Sequence, residues 1–225
     1  MQKTEANWDA YYRLTVSRLG NNIGDFNLLL HNLNGQSSGL FDSPEGMNFV
    51  LGGFASHNGT PGDFKQFIYN FRYEHEARFQ DRLIFLDMNK RPLDGVDTKQ
   101  AVRAKLEHPP FKSDSLDLIV LSGTADFMED SAVSDFSRNA ALVLKKNGIV
   151  LASTTPKKAK PYLESMYPVP VYFRDIDGLV SLMEPLKLVG YRTGSRPFGT
   201  YSTPHFYTEN YAFSRSDSTF KQVTV

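Results

Sequence analysis

Short, nearly continuous apolar runs punctuate the chain at 48–51, 83–86, 116–121 and 149–152. Each is of strand length. The fourth-strand run, LDLIVL, is almost wholly apolar, as a strand covered on both faces should be. The strands read from these runs are 48–53 (NFVLGG), 82–87 (RLIFLD), 99–106 (KQAVRAKL, the weakest), 116–123 (LDLIVLSG), 149–155 (IVLASTT), 188–195 (LVGYRTGS) and 210–215 (NYAFSR). Between them the period changes. Over 60–80, Phe64, Phe67, Ile68 and Phe71 fall at i, i+3, i+4 and i+7, which predicts an amphipathic helix. A second helix is expected over 129–148. Asp130 or Ser131 would cap its start, and Lys145 to Gly148 would supply its stop signals. A third is expected over 174–186, with Asp175 or Asp177 near its start. Residues 6–19 suit a helix with Trp8, Tyr11 and Tyr12 on one side. Residues 20–47 are rich in Gly, Asn and Ser, with a short helix expected near 25–33 and a loop after it.

Alternation of strand and helix predicts a parallel, doubly wound sheet with helices on both faces. The last two strands lie close in sequence and read as a long hairpin that adds an antiparallel edge strand. The fold class is therefore three-layer α/β. The expected organisation is one domain over 1–225. Residues 1–47 would form an N-terminal cap, 48–215 the core, and 216–225 a fraying tail.

Composition narrows the function. Lys plus Arg and Asp plus Glu are 25 each, so no global electrostatic grip on nucleic acid or an anionic membrane is indicated. With no Cys, disulfides, thiolate metal sites and cysteine nucleophiles are excluded. The N-terminus lacks the apolar core of a signal peptide, and no run approaches the ~20 residues that cross a bilayer. A cytoplasmic or otherwise intracellular protein is expected. Glu74-His75-Glu76 point different ways on a helix and do not converge on a metal. No phosphate loop, zinc-helix motif or nucleophile elbow is present. The short basic runs KKNG and PKKAKP suit a helix end and a solvated loop.

Open α/β sheets bind ligands at the carboxyl ends of their strands. There the chain places Gly52 to Gly59, then Asp87-Met88-Asn89, then Lys105-Leu106, then Ser122-Gly123-Thr124 with Asp126-Phe127, then Ser153-Thr154-Thr155. Glycines let a backbone approach a ligand closely. A carboxylate closing the second strand can accept both hydroxyls of a ribose, which makes Asp87 the best single candidate. Asp87 equally suits a turn cap in DMNKRP. His57 and Asn58 suit turn positions in HNGTPG.

The ordered set FVLGGFASHNG, LIFLDMN, HPPFKSDSLDLIVLSG and LVLKKNGIVLAS resembles the class I S-adenosylmethionine-dependent methyltransferases. The segment from Pro109 to Ser153 is the most similar part, and 176–215 looks like the family's last helix and closing strand pair. The resemblance spans about 48–215. It implies S-adenosylmethionine as cofactor. Asp87 would hold the ribose, Gly52, Gly53 and Ala55 would let the backbone meet the cofactor, and Met88 would pack on the adenine with Leu106 following. Ser122 would sit beside the methionine portion, and Tyr11 would close over the site. The chain departs from the family at set places. The family's acidic residue ending strand one falls at Gly52, and the acidic residue after strand three falls at Lys105. Leu51 and Asp87 lie 36 positions apart, where such a unit needs roughly twenty.

The implied reaction is methyl transfer to a small-molecule acceptor, for which alignment carries most of the catalysis. Where the acceptor must lose a proton, His108 and His205 are the candidate bases, with His57 beside them. His205 lies in an aromatic stretch with Tyr201, Phe206 and Tyr207, which suits an acceptor pocket or a packed hairpin. The alternative, favoured by Gly52 and Lys105, is a methyltransferase-like protein that has lost the cofactor and serves a protein partner as a binding or regulatory subunit. A third reading keeps the pocket for a non-methylating reaction.

Overall fold

A computed structural model describes residues 19–36, 46–53, 60–72, 81–94, 96–97, 99–164, 167–198 and 206–225. The helix expected over 6–19 lies outside them but for its last residue. All described strands join one sheet in the order β3-β2-β1-β4-β5-β7-β6-β8. They are β1 (Asn48–Gly52), β2 (Arg82–Asp87), β3 (Ala101–Arg103), β4 (Leu116–Ser122), β5 (Leu144–Thr154), β6 (Leu186–Phe198), β7 (Phe206–Arg215) and β8 (Val223–Thr224). Strands β1 to β5 pair in parallel. Strand β7 runs antiparallel between β5 and β6, so the expected hairpin enters the sheet with its second strand innermost. The three-layer, mostly parallel α/β fold is as the alternation predicts.

The central strands read as unbroken apolar runs because both faces are covered. Phe49, Leu51, Leu118, Val120, Ile149 and Leu151 point into one core, against Phe26, Leu30 and Leu33 of α1 (Leu19–Asn34) and Phe64, Phe67 and Ile68 of α2 (Thr60–Arg72). The residues between them, Val50, Ile119, Leu121, Val150 and Ala152, point into the other core. There they meet Val133, Phe136 and Ala140 of α3 (Asp130–Val143) and Leu179 of α5 (Ile176–Leu182). A short α4 (Lys160–Leu163) lies between β5 and α5.

Four expectations are corrected. Helix α1 is 16 residues long, where only a short helix near 25–33 was expected. Its first turns hide from hydrophobic periodicity because the buried positions ahead of Phe26 are polar. Asn22 and Asp25 are each 1% exposed, and they dock by hydrogen bonds and an ion pair rather than by apolar area. Helix α3 stops at Val143, and Lys145 to Gly148 open β5. Leu144 pairs with Leu116, and Lys145 reaches Asp117 at 2.8 Å, so pairing overrides the local stop signals. Glu129, not Asp130 or Ser131, takes the N-cap position of α3, and its side chain makes no capping hydrogen bond. The tail does not fray. β8 pairs with β6, Phe220 is buried in the α1 core, and Lys221 and Gln36 exchange hydrogen bonds of 2.8 and 3.0 Å. One buried aromatic ring anchors the segment, a signal too sparse for any periodicity.

Phe220→Ala should cost about 3 kcal/mol in denaturant unfolding. A loss below about 0.5 kcal/mol, the size expected of an exposed site, would show the tail to be peripheral.

Candidate functional site

Strands β1 and β4 are neighbours, yet the chain leaves β1 toward β2 and leaves β4 toward β5. This is the point at which strand order reverses, where a crevice opens beyond the carboxyl ends. Both strands run into glycines in the left-handed region, Gly53 at φ 62° and Gly123 at φ 74°. The Gly53 N–H donates to the Leu86 carbonyl at 2.8 Å, and the Gly123 N–H to that of Ser153 at 3.0 Å. Thr124 ties the two ends together. Its hydroxyl lies 2.9 and 2.6 Å from the carbonyl oxygens of Gly52 and Gly53.

The crevice holds a cavity of about 410 Å³. Gly53, Asp87, Met88, Leu106 and Ser122 line it, as does His108. Five of the residues implied as cofactor contacts, and one candidate base, are thus brought together. Gly52 does not line the cavity. A Cβ there would lie 2.5 Å from a Leu106 methyl and 3.0 Å from a Leu121 methyl. An acidic side chain at 52 would have to displace that packing, so the bare position serves Leu106 and Leu121. Ala55, Tyr11, His205 and His57 lie outside the described residues.

Asp87 is 3% exposed and borders the cavity at the end of β2. One carboxylate oxygen accepts from the Asn89 N–H at 2.8 Å and from its side-chain amide at 3.3 Å. The turn cap expected of Asp87 is present, and the same carboxylate borders the cavity. Met88, half exposed, and Leu106, buried, supply apolar wall.

Other cavity residues were not assigned from sequence. Asn89, Thr124 and Phe127 follow strands β2 and β4, so the strand-end rule already held the signal. Met128 and Glu129 come from the turn into α3, Ser131, Ala132 and Asp135 from its first two turns, and Glu107 from the segment after β3. The acids Asp87, Glu107, Glu129 and Asp135 face the cavity with a single lysine, Lys105. In a chain of zero net charge, this concentrates negative potential at one mouth. Glu129 hydrogen-bonds the Tyr172 phenol. Burial first, then the Glu129 carboxylate, hold that phenol above its ordinary pKa. Asp126, a further strand-end residue, is not a cavity group. Both its oxygens accept from the Thr155 N–H, at 3.1 and 3.0 Å.

Ser122 connects the cavity to a buried polar row. Ser122, Ser153, Asn210 and Arg192 occupy one register level across β4, β5, β7 and β6. Asn22 of α1 donates to Ser153 at 2.8 Å and Ser122 at 3.2 Å, and Asp25 pairs with Arg192 at 2.7 Å. Among the described residues no group of three or more His, Asp or Glu side chains can hold a metal ion, and no helix is long and apolar enough to cross a membrane.

A family model described as a methyltransferase domain matches residues 74–152. No curated protein matches the sequence. Among solved structures, a protein of Pyrococcus horikoshii OT3 aligns over 92% of this chain and 99% of its own, at 11% identity and TM-score 0.57. A geranyl diphosphate methyltransferase in complex with SAM aligns over 86% and 85%, at 13% and 0.56. A SAM-dependent methyltransferase from Methanosarcina mazei aligns over 83% and 96%, at 10% and 0.56. At these identities the likeness is one of fold.

Gly53→Ala should cost about 1–3 kcal/mol, because the backbone is left-handed and the new Cβ would sit 2.3 Å from the Thr124 methyl. Thr124→Ser keeps the hydroxyl and removes that methyl. The double variant should therefore lose less than the sum of the single ones in denaturant unfolding. Strict additivity would contradict the contact.

Proposed function

We propose that this chain, whose fold is that of the class I S-adenosylmethionine-dependent methyltransferases, binds S-adenosylmethionine in the β1–β4 crevice and transfers its methyl group to a small molecule. The observation that carries the reading is Asp87, a nearly buried carboxylate at the end of β2 that faces a cavity walled by Met88 and Leu106. A carboxylate so placed accepts ribose hydroxyls, and the two apolar side chains give an adenine ring its surfaces. The acidic lining suits a cationic nucleoside and disfavours a phosphorylated one. When bound, the cofactor supplies a methyl group on a positively charged sulfur. Ser122 and His108 also line the cavity; Ser122 would sit beside the methionine portion, and His108 would take a proton from an acceptor that must lose one. The methyl acceptor belongs to the small molecules, and the cell interior is the setting this reading carries.

The nucleoside half of the cofactor fits the residues present. The amino-acid half finds less: position 52 has no carboxylate, and the carbonyls of Gly52 and Gly53 already accept from Thr124. Those features favour the second reading, a protein of this fold that has given up methyl transfer and binds a protein partner.

Calorimetry separates the two. The wild type should bind S-adenosylmethionine and S-adenosylhomocysteine in the micromolar range and leave ATP unbound. Asp87→Ala should weaken binding by about 10–100-fold, the loss of hydrogen bonds to a charged group. A folded wild type that binds neither ligand would overturn the methyltransferase reading in favour of the binding subunit.

A further inference from the structure

The cavity wall formed after β4 is held from behind by one side chain that never touches the cavity. The wall is the 3-10 turn Thr124–Phe127 and the residues leading into α3, and it carries Phe127, Met128 and Glu129. The turn's own Met128 N–H reaches the Ala125 carbonyl at only 3.3 Å, the long, poorly aligned bond of a short 3-10 turn. Arg174, in the segment before α5, adds shorter contacts. One terminal nitrogen donates to the Ala125 carbonyl at 2.7 Å, and the other donates to the Met128 carbonyl at 2.6 Å. The fork also binds the Asp130 carboxylate, through Nε at 3.0 Å and a terminal nitrogen at 2.7 Å. Arg174 is 7% exposed, so its bonds to the two carbonyls are shielded from solvent, while the Asp130 carboxylate lies at the surface.

The bonds bracket the lining residues. Ala125 lies before Phe127, and Met128 and Asp130 flank Glu129. The segment that brings Arg174 is itself docked on the wall. The Tyr172 N–H donates to the Asp126 carbonyl at 2.6 Å, Tyr167 packs edge-on against Phe127 at 5.9 Å, and Arg174 bridges to Pro156. Thr124 and Asp126 tie the front of the turn to β1 and β5. The Met128–Asp130 end is held by Arg174 at Met128 and Asp130, with the Tyr172 phenol on Glu129 between them. A planar fork with five donors meets two carbonyls and a carboxylate at once, whereas a lysine ammonium is a single point that cannot span them.

We infer that Arg174 is a positioning residue for the ligand cavity: it fixes the wall at Phe127, Met128 and Glu129 in its binding geometry from outside the cavity, with Asp130 as its anchor. The inference rests on the cavity being a nucleoside site. It concerns a residue 44 positions from its anchor, on a segment whose described residues do not line the cavity.

The test compares the full-length wild type, Arg174→Lys and Asp130→Asn by three readouts: thermal midpoint, S-adenosylhomocysteine affinity by calorimetry well below that midpoint, and hydrogen exchange of peptides covering 124–130. Arg174→Lys should remain folded, bind about tenfold more weakly, as expected when charged hydrogen bonds in a buried fork are lost, and exchange faster at 124–130 than elsewhere in the sheet. Asp130→Asn, a change at an exposed carboxylate, should weaken binding by about two- to threefold, and it carries the test if Arg174→Lys does not fold. Unchanged affinity and unchanged exchange at 124–130 would overturn the inference. A lowered midpoint with exchange raised throughout the sheet and affinity unchanged would also overturn it, since that is the mark of a general structural role. If the wild type itself fails to bind, the nucleoside reading falls, and the exchange pattern still decides whether Arg174 holds the wall.

Discussion

The pairing of β1 with β4 is the constraint from which the site follows. Two parallel strands lie side by side, and their onward connections leave in opposite directions across the sheet. No crossover covers the space beyond their ends, so a crevice is left there. Each strand must turn sharply at its exit, and each does so through a left-handed glycine. The Thr124 hydroxyl then binds the two ends together through the carbonyls of Gly52 and Gly53. Gly53, Ser122, Gly123 and Thr124 line the cavity from the ends of this pair, and the turn that Thr124 begins leads into the α3 residues that complete that wall.

Cover on both faces made the core strands legible. Val120 enters one core and Leu121 the other, so the sequence shows an unbroken run, and the alternation with helices then implies the order of the layers. Legibility failed where burial is polar or isolated. The first half of α1 buries Asn22 and Asp25, which no apolar period reveals, because their partners Ser122, Ser153 and Arg192 lie 100 or more residues away. Lys145 and Lys146 read as a helix end, since nothing local announces that Leu144 will pair with Leu116.

The site divides along the same line. Asp87, Met88, Leu106 and Ser122 follow strands, so knowing the strands was enough to find them. Thr124 and Phe127 follow a strand too, but their parts depend on what faces them across the crevice. Arg174 carries no such signal: its value lies in two carbonyls and a carboxylate about 44 to 49 positions earlier. At Gly52 the sequence shows an acid missing, and the structure supplies the reason, since Leu106 and Leu121 occupy the room a side chain would need. The cavity has a carboxylate at the end of β2, and its β1 side is filled by the Thr124 hydrogen bonds and leucine packing.

The central claim is that Asp87 and the walls around it form a nucleoside site. A crystal structure of the chain grown with S-adenosylhomocysteine tests it most directly. The account places both ribose hydroxyls within hydrogen-bond distance of the Asp87 carboxylate, and the adenine between Met88 and Leu106. A ligand bound elsewhere, or a cavity that stays free of it at saturating concentration with Asp87 turned only to Asn89, would contradict the account.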